Sequence, residues 1–255
     1  MISGGLRAKG ITKSSRPGEP LISVVTVVYN GAETLEQTIR SVLGQTYGNV
    51  EYVIIDGGST DGTLDIIRKY EDGIDWWQSE PDGGVYEAMN KSIGLVNGDL
   101  INFMNSGDSF ACDTVIEKIK DCSQDIVYGN VYIKKELTIE ELKTPDRLRF
   151  FYFARGATIC HQAIFARRKT FYNNEFDLRY EIVADRLWLK KSIEERKCSY
   201  KHIDFPICIY DITGISSDLF RLRKDSKKFI RNEYGFIGLL YAKLVGVLYG
   251  LCRRI

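Results

Sequence analysis

Apolar positions along this chain fall into two alternating rhythms. From Leu21 to Val28 the run LISVVTVV is continuous, β-branched and apolar, the pattern of a strand covered on both faces, as in a parallel sheet. After Tyr29-Asn30-Gly31, Leu35, Ile39, Val42 and Leu43 share one helical face. Val50 to Ile55 repeats the strand pattern and ends in Asp56-Gly57-Gly58-Ser59-Thr60-Asp61-Gly62, a turn whose glycines permit tight backbone paths. A second helix follows with Leu64, Ile67 and Tyr70, with Ser59, Thr60 and Asp61 as candidate N-caps. A third helix covers Val85 to Val96, and Leu100 to Met104 is another short strand running into Asn105-Ser106-Gly107-Asp108. Strand, helix, strand, helix, strand predicts a doubly wound α/β sheet with right-handed crossovers.

Beyond this point the rhythm is less regular. Ile126 to Lys134 and Ala157 to Phe165 read as strands, and Tyr180 to Glu195 as a helix. The first twenty residues, rich in Gly, Ser, Pro and Lys, have no apolar central run; they are no signal peptide and read as a mobile tail. The chain therefore divides into a tail (1–20), an α/β domain (21–218) and a basic, then apolar, helical segment (219–255).

Composition narrows the classes. With 255 residues, 44% hydrophobic and 27% charged, the chain is an ordinary globular protein near the upper size of one domain. A net charge of +1 argues against a nucleic-acid partner, which calls for a basic face. The six cysteines are scattered without a CxxC pair and only two histidines occur; reduced thiols in a cytosol fit, and a histidine-rich zinc site does not.

Ligands of open parallel sheets bind beyond the carboxyl ends of the strands. Three such ends carry polar groups here: Tyr29-Asn30, Asp56 and Asp108. Any one of them reads equally well as a turn or cap residue; three together point to a site. Neither GxGxxG nor GxxxxGK[ST] follows the first strand, which disfavours a dinucleotide oxidoreductase or a P-loop kinase. A nucleotide site built on carboxylates remains.

The runs SVVTVVYNGAETLEQTIRSVLGQTYGNVEYVIIDGGSTDGT and PDGGVYEAMNKSIGLVNGDLINFMNSGD resemble family 2 of the glycosyltransferases, which have the GT-A fold, a Rossmann-like, mostly parallel sheet flanked by helices. The likeness covers roughly Leu21 to Val131, extends more weakly to about Ser217, and within the family is most similar to bacterial enzymes of exopolysaccharide, O-antigen or capsule assembly. It implies a hexosyltransferase that moves one sugar, with inversion, from a nucleotide-sugar donor (a UDP-sugar) to a hydroxyl of a sugar or lipid-linked sugar acceptor. The processive QxxRW motif is absent, hence one sugar per acceptor. On this resemblance the backbone around Val27 to Tyr29 flanks the base and ribose, Asn30, Glu33, Gly58 and Ser59 also bind the donor, and Asp56 accepts a hydrogen bond from the pyrimidine. Asp82, Asn90, Lys91, Asn105 and Ser106 line the donor pocket. Asp108 matches the last aspartate of the family's DxD element and binds Mg²⁺ or Mn²⁺. That element reads Asn105-Ser106-Gly107-Asp108 here, leaving one carboxylate; diphosphate oxygens and water can complete an octahedral oxygen shell. Asp185 is the expected base, with Glu181, four residues earlier on the same helix, as runner-up. His161 and Gln162 are assigned to the acceptor or diphosphate side, and Asp211 to Asp218 to a flap.

The C-terminal segment leaves two readings open. A basic run beside an apolar, tyrosine-bearing helix suits an anionic lipid interface, which would put a cytoplasmic enzyme on the inner face of the membrane; otherwise the helix packs on its own core or on a second subunit. Two functional alternatives also stand: a degenerate nucleotide-sugar-binding protein, and a nucleotidyltransferase.

Overall fold

The computed structural model of the chain describes residues 1–135, 138–148, 152–155, 159–211 and 218–252. A ten-stranded mixed sheet forms its centre. The strands are β1 (Ile2–Gly4), β2 (Ile22–Val28), β3 (Val50–Asp56), β4 (Trp76–Ser79), β5 (Leu100–Phe103), β6 (Ser109–Phe110), β7 (Ile126–Lys134), β8 (Ile139–Leu142), β9 (Ile164–Arg167) and β10 (Tyr200–Asp211). Their order is β1-β4-β3-β2-β5-β9-β7-β10-β6, with β8 paired to β7. The helices are α1 (Leu35–Leu43), α2 (Thr63–Lys69), α3 (Val85–Ile93), α4 (Val115–Ile119), α5 (Ala184–Lys190) and α6 (Leu219–Cys252).

β4, β3, β2 and β5 are parallel, in a register that aligns Val28 with Asp56 and Asp56 with Ser79. All seven residues of β2 and of β3 are buried, as the continuous apolar runs require. Alternate side chains serve opposite layers. Val25, Val27, Val53 and Ile55 pack with Tyr86 and Met89 of α3; Val24, Val28 and Ile54 pack with Leu35 and Ile39 of α1. The chain runs from β2 outward to β3 and β4, then crosses back to β5 on the other side of β2. That reversal is the topological switch point at which such sheets bind ligands.

Several expectations are corrected. The first residues do not form a mobile tail. β1 pairs antiparallel with β4, the Gly5 amide donates to Glu71 at 3.0 Å, and Lys13 bonds Asp75 and the Val50 carbonyl. An edge strand with open N–H and C=O groups attracts a partner, and β4 itself, four residues with mixed polarity, carries too weak a pattern to be read in advance. The strand expected at Ala157–Phe165 lies later, as β9, behind a 3-10 turn at His161–Ala163; residues 156–158 lie outside the described ones. The helix expected from Tyr180 begins only at Ala184 and closes in a π turn at Lys191–Glu195. Its start is set by Asp225 of α6, whose carboxylate accepts the amides of Ile182 (2.8 Å) and Val183 (3.2 Å).

α6 is broken at Gly235, whose φ of 62° and ψ of −156° are not helical. Before the break, Asp225, Phe229 and Ile230 are buried against the domain's own core. Among the described residues no helix is long and apolar enough to cross a membrane.

Candidate active site

Two polar clusters lie side by side at the carboxyl ends of the parallel strands. The first joins β2, β3 and β4. Asp56 ends β3 with no exposed surface; one of its carboxylate oxygens accepts the amides of Gly58 and Ser59 and the Ser79 hydroxyl, and the other accepts the Ser59 hydroxyl. Asp56, expected to accept a bond from a base, has both carboxylate oxygens engaged by its own loop and by Ser79, and so shapes that loop. Gly58 holds φ 83° in that loop. Asn30, at φ 48°, ties β2 to it, donating its amide to Ser59 Oγ (2.7 Å) and accepting the Thr60 amide (2.9 Å). Tyr29 is two-thirds exposed and Glu33 is exposed, whereas Val27 is buried. Asp82 accepts the Gly84 amide at 2.8 Å and lies against Gly57, where an added Cβ would stand 3.1 Å from its carboxylate.

The second cluster forms around the turn after β5. Gly107 takes φ 98°, a conformation that favours glycine, and Thr38 of α1 clamps the turn by accepting the Gly107 amide and donating to the Asp108 carbonyl (2.7 Å). Asp108 is 5% exposed; its carboxylate accepts the Gln162 amide side chain and, at 2.9 Å, the Asp211 backbone N–H. Burial pushes this carboxyl up to about 6, against the downward pull of those two donors. Asn105 Nδ2 bonds His161 Nε2 at 2.9 Å, and His161 Nδ1 bonds Asp185 Oδ2 at 3.0 Å. With the Asn105 amide donating, Nε2 is the acceptor and Nδ1 carries the proton toward Asp185. The other Asp185 oxygen accepts the Arg186 amide at 2.7 Å, in the first turn of α5, where the helix dipole favours negative charge. Asn105 Oδ1 is buried and without a hydrogen-bond partner among the described residues. Ser106 Oγ links the turn to Thr34 (3.1 Å), and Gly31 is required nearby, because a Cβ there would stand 2.8 Å from that oxygen.

Asn105, Asp108, His161, Gln162 and Asp185 are thus brought together from three distant segments. Other expected residues are not. Asn90 is engaged by Phe176, donating to its carbonyl (2.8 Å) and accepting its amide (2.9 Å). Glu181 is exposed and lies outside α5, so the shared helical face does not exist. Lys91 pairs with Glu80 and Glu87. Residues 212–217 of the expected flap lie outside the described residues. Contributors that went unread in the sequence include Thr34, Thr38, Ser79, the Asp211 amide and Asp225. Only Asp225 left a signal, as the lone acid of a basic run sharing helical spacing with Leu222 and Phe229.

Among the described residues no group of three or more His, Cys, Asp or Glu could hold a metal by itself. The oxygen chemistry at the turn nonetheless fits a hard divalent cation shared with a ligand: Asp108 is a buried carboxylate and Asn105 Oδ1 is an unmatched buried oxygen.

The sequence model of glycosyl transferase family 2 matches residues 23–176. An uncharacterized glycosyltransferase of Mycobacterium tuberculosis is 31% identical over 205 residues, 78% of each chain. A PGL/p-HBAD biosynthesis glycosyltransferase of Mycobacterium bovis is 34% identical over 176 residues, 65% of this chain and 67% of the relative. Among solved structures, TarS 1–349 of S. aureus in complex with UDP superposes with a TM-score of 0.63 at 16% identity, over 83% of this chain and 66% of that one. The mannosyltransferase PcManGT of Pyrobaculum calidifontis, in complex with GDP-Man and Mn²⁺, gives 0.61 at 18% identity, over 89% and 70%. These structural likenesses establish the GT-A fold.

Proposed function

The chain belongs to glycosyltransferase family 2, and from that premise we propose that it transfers one sugar from a UDP-sugar to a hydroxyl of a sugar or lipid-linked sugar, with inversion, in the assembly of a cell-surface polysaccharide or glycolipid. Family membership makes it a glycosyltransferase and sets aside both the nucleotidyltransferase and the inactive binding protein. The donor class draws support from the UDP complex of TarS, and the glycolipid class from the named role of the mycobacterial relative.

One observation carries the mechanism: the Asn105–His161–Asp185 hydrogen-bond chain ends on a carboxylate beside the Asp108 turn. An alcohol becomes an effective nucleophile only as its proton is removed. Asp185 takes that proton. The His161 Nδ1–H and the Arg186 amide each hold one of its oxygens and so orient the carboxylate. Attack on the anomeric carbon from this side expels the nucleoside diphosphate from the opposite face, which inverts the centre. The loop organised by Asp56, Asn30 and Ser59 receives the nucleoside, and Asp82 meets sugar hydroxyls. Asp108, with Asn105 Oδ1 and the donor's diphosphate, would hold Mg²⁺ or Mn²⁺, which when bound supplies charge stabilisation for the departing diphosphate.

Thermal shift with UDP-, GDP- and dTDP-sugars, with and without Mn²⁺, tests the donor, since a ligand of the native state raises its melting temperature. UDP-sugars with Mn²⁺ should give the largest shift; preference for a GDP-sugar would overturn the base assignment. Asp185→Asn should keep that shift while losing roughly 10²–10⁴-fold in transfer rate, and turnover near the wild-type rate would reject Asp185 as the base.

A further inference from the structure

α6 changes character at Gly235. In its first half Asp225, Phe229 and Ile230 are buried, while Arg221, Arg223, Lys224, Lys227, Lys228 and Arg231 are exposed on the opposite side. Beyond the break, Leu239 and Ala242 still touch the domain core. Phe236, Ile237, Leu240 and Leu244, however, are 73%, 76%, 54% and 61% exposed. At roughly 100° per residue these four fall within one sector of about 100°, turned away from Leu239 and Ala242. An open groove lined by Lys227, Lys228, Arg231, Asn232 and Leu239 joins the two halves.

We propose that α6 is a lipid-docking device: the Phe236/Ile237/Leu240/Leu244 stripe enters the headgroup–acyl boundary of an anionic bilayer, and the basic face of the first half meets lipid phosphates. Charge selects this occupant. Residues 219–255 contain nine Lys and Arg against two acids, and of those acids Asp225 is buried as the cap of α5. Such an excess opposes a second copy of the same face and suits an anionic sheet. Large aliphatic and aromatic side chains beside cations are the composition of a helix that lies in an interface. Gly235 permits the redirection, and Gly238 lets the second half close onto the first, since a Cβ there would collide with the Tyr234 side chain. The proposal does not rest on the transfer chemistry, so its test reads lipid binding alone.

Purified full-length protein would be floated with vesicles of phosphatidylcholine containing about one quarter phosphatidylglycerol, and with phosphatidylcholine alone. Flotation with the anionic vesicles only, weakening as salt rises, is expected. Phe236→Ser/Leu240→Ser should lower vesicle affinity at least tenfold, and Lys227→Glu/Lys228→Glu/Arg231→Glu should abolish the preference for anionic lipid. Because Phe236 and Leu240 are exposed, the first variant should melt at the wild-type temperature and bind the donor as the wild type does. Absence of flotation, or equal flotation of that variant, overturns the proposal. So does a wild-type dimer by light scattering that the same two substitutions convert to monomer, for the stripe is then a subunit interface.

Discussion

Asp108 is the residue whose chemistry depends most on where the chain folds it. A carboxyl that ionises near 3.8 in the unfolded chain is pushed up to about 6 by burial, so the native state binds the proton more tightly. Stability from this group is greatest below the ordinary carboxylate range, falls as pH rises from about 4 to 6, and the full penalty is present above. In chelator, wild-type stability in urea unfolding should therefore fall between pH 4 and pH 8 more than that of Asp108→Asn, which has no carboxyl to ionise at this position. A metal ligand must be deprotonated, so Mn²⁺ should bind wild type progressively more weakly below pH 6, in titration calorimetry, and bind the variant poorly throughout. Asn90 offers the opposite case. The sequence places it in a motif that suggests donor contact, yet its amide is matched at both ends by the Phe176 backbone. Asn90→Ala should cost about 1–3 kcal/mol of stability and leave UDP-sugar affinity within a factor of about three; a tenfold affinity loss at unchanged stability would return Asn90 to the donor pocket.

At the scale of elements, the placement of α5 governs the candidate base. α5 is short, its first turn carries Asp185, and α6 caps the two amides just ahead of it through Asp225. Arg186, next to Asp185, is buried, and burial holds its guanidinium below the usual arginine range despite the nearby Asp185 charge. Its ring contact with Phe229, 5.4 Å from the centroid, again leads to α6. Asp225→Ala would strand one buried and one half-buried amide and remove a negative charge near that guanidinium. A loss of about 1–3 kcal/mol is expected, with a fall of roughly 3–10 °C in melting temperature. Transfer rate should fall more than donor affinity, and Asp225→Asn, which can still accept a hydrogen bond, should recover much of both. Equal losses in rate and affinity would show that α6 does not act through α5.

At the scale of the whole molecule, the sheet is closed on one side by the chain's own beginning. β1 covers the β4 edge, and Ser79 of β4 in turn bonds Asp56. Deleting Met1–Lys9 removes the β1–β4 pairing and the bonds that the Gly5, Leu6 and Arg7 amides and the Arg7 guanidinium make to Glu71, Ile74, Asp75 and Leu95; at about 1 kcal/mol net for each bond it should cost on the order of 5 kcal/mol or more, and leave β4 open to aggregation. Differential scanning fluorimetry and light scattering would read this; a truncated chain that melts and behaves like the full one would restore the view of a dispensable tail.

Local chemistry accounts for what was legible beforehand. The buried strands β2, β3, β5 and β7, the helices between the first of them, and the polar groups at their ends all follow from hydrophobic period and turn composition. Such signals lie within ten or so neighbouring residues, and the NSGD turn with its single carboxylate was visible for the same reason. Contacts across the chain were not. That Ser79 bonds Asp56, that Asn90 serves Phe176, that the first residues form an edge strand, and that His161 bridges Asn105 to Asp185 each depend on partners 23 to 86 residues away. Hydrogen-bonding capacity is a property of each side chain, but which capacity is met inside the fold is decided only once distant segments have packed.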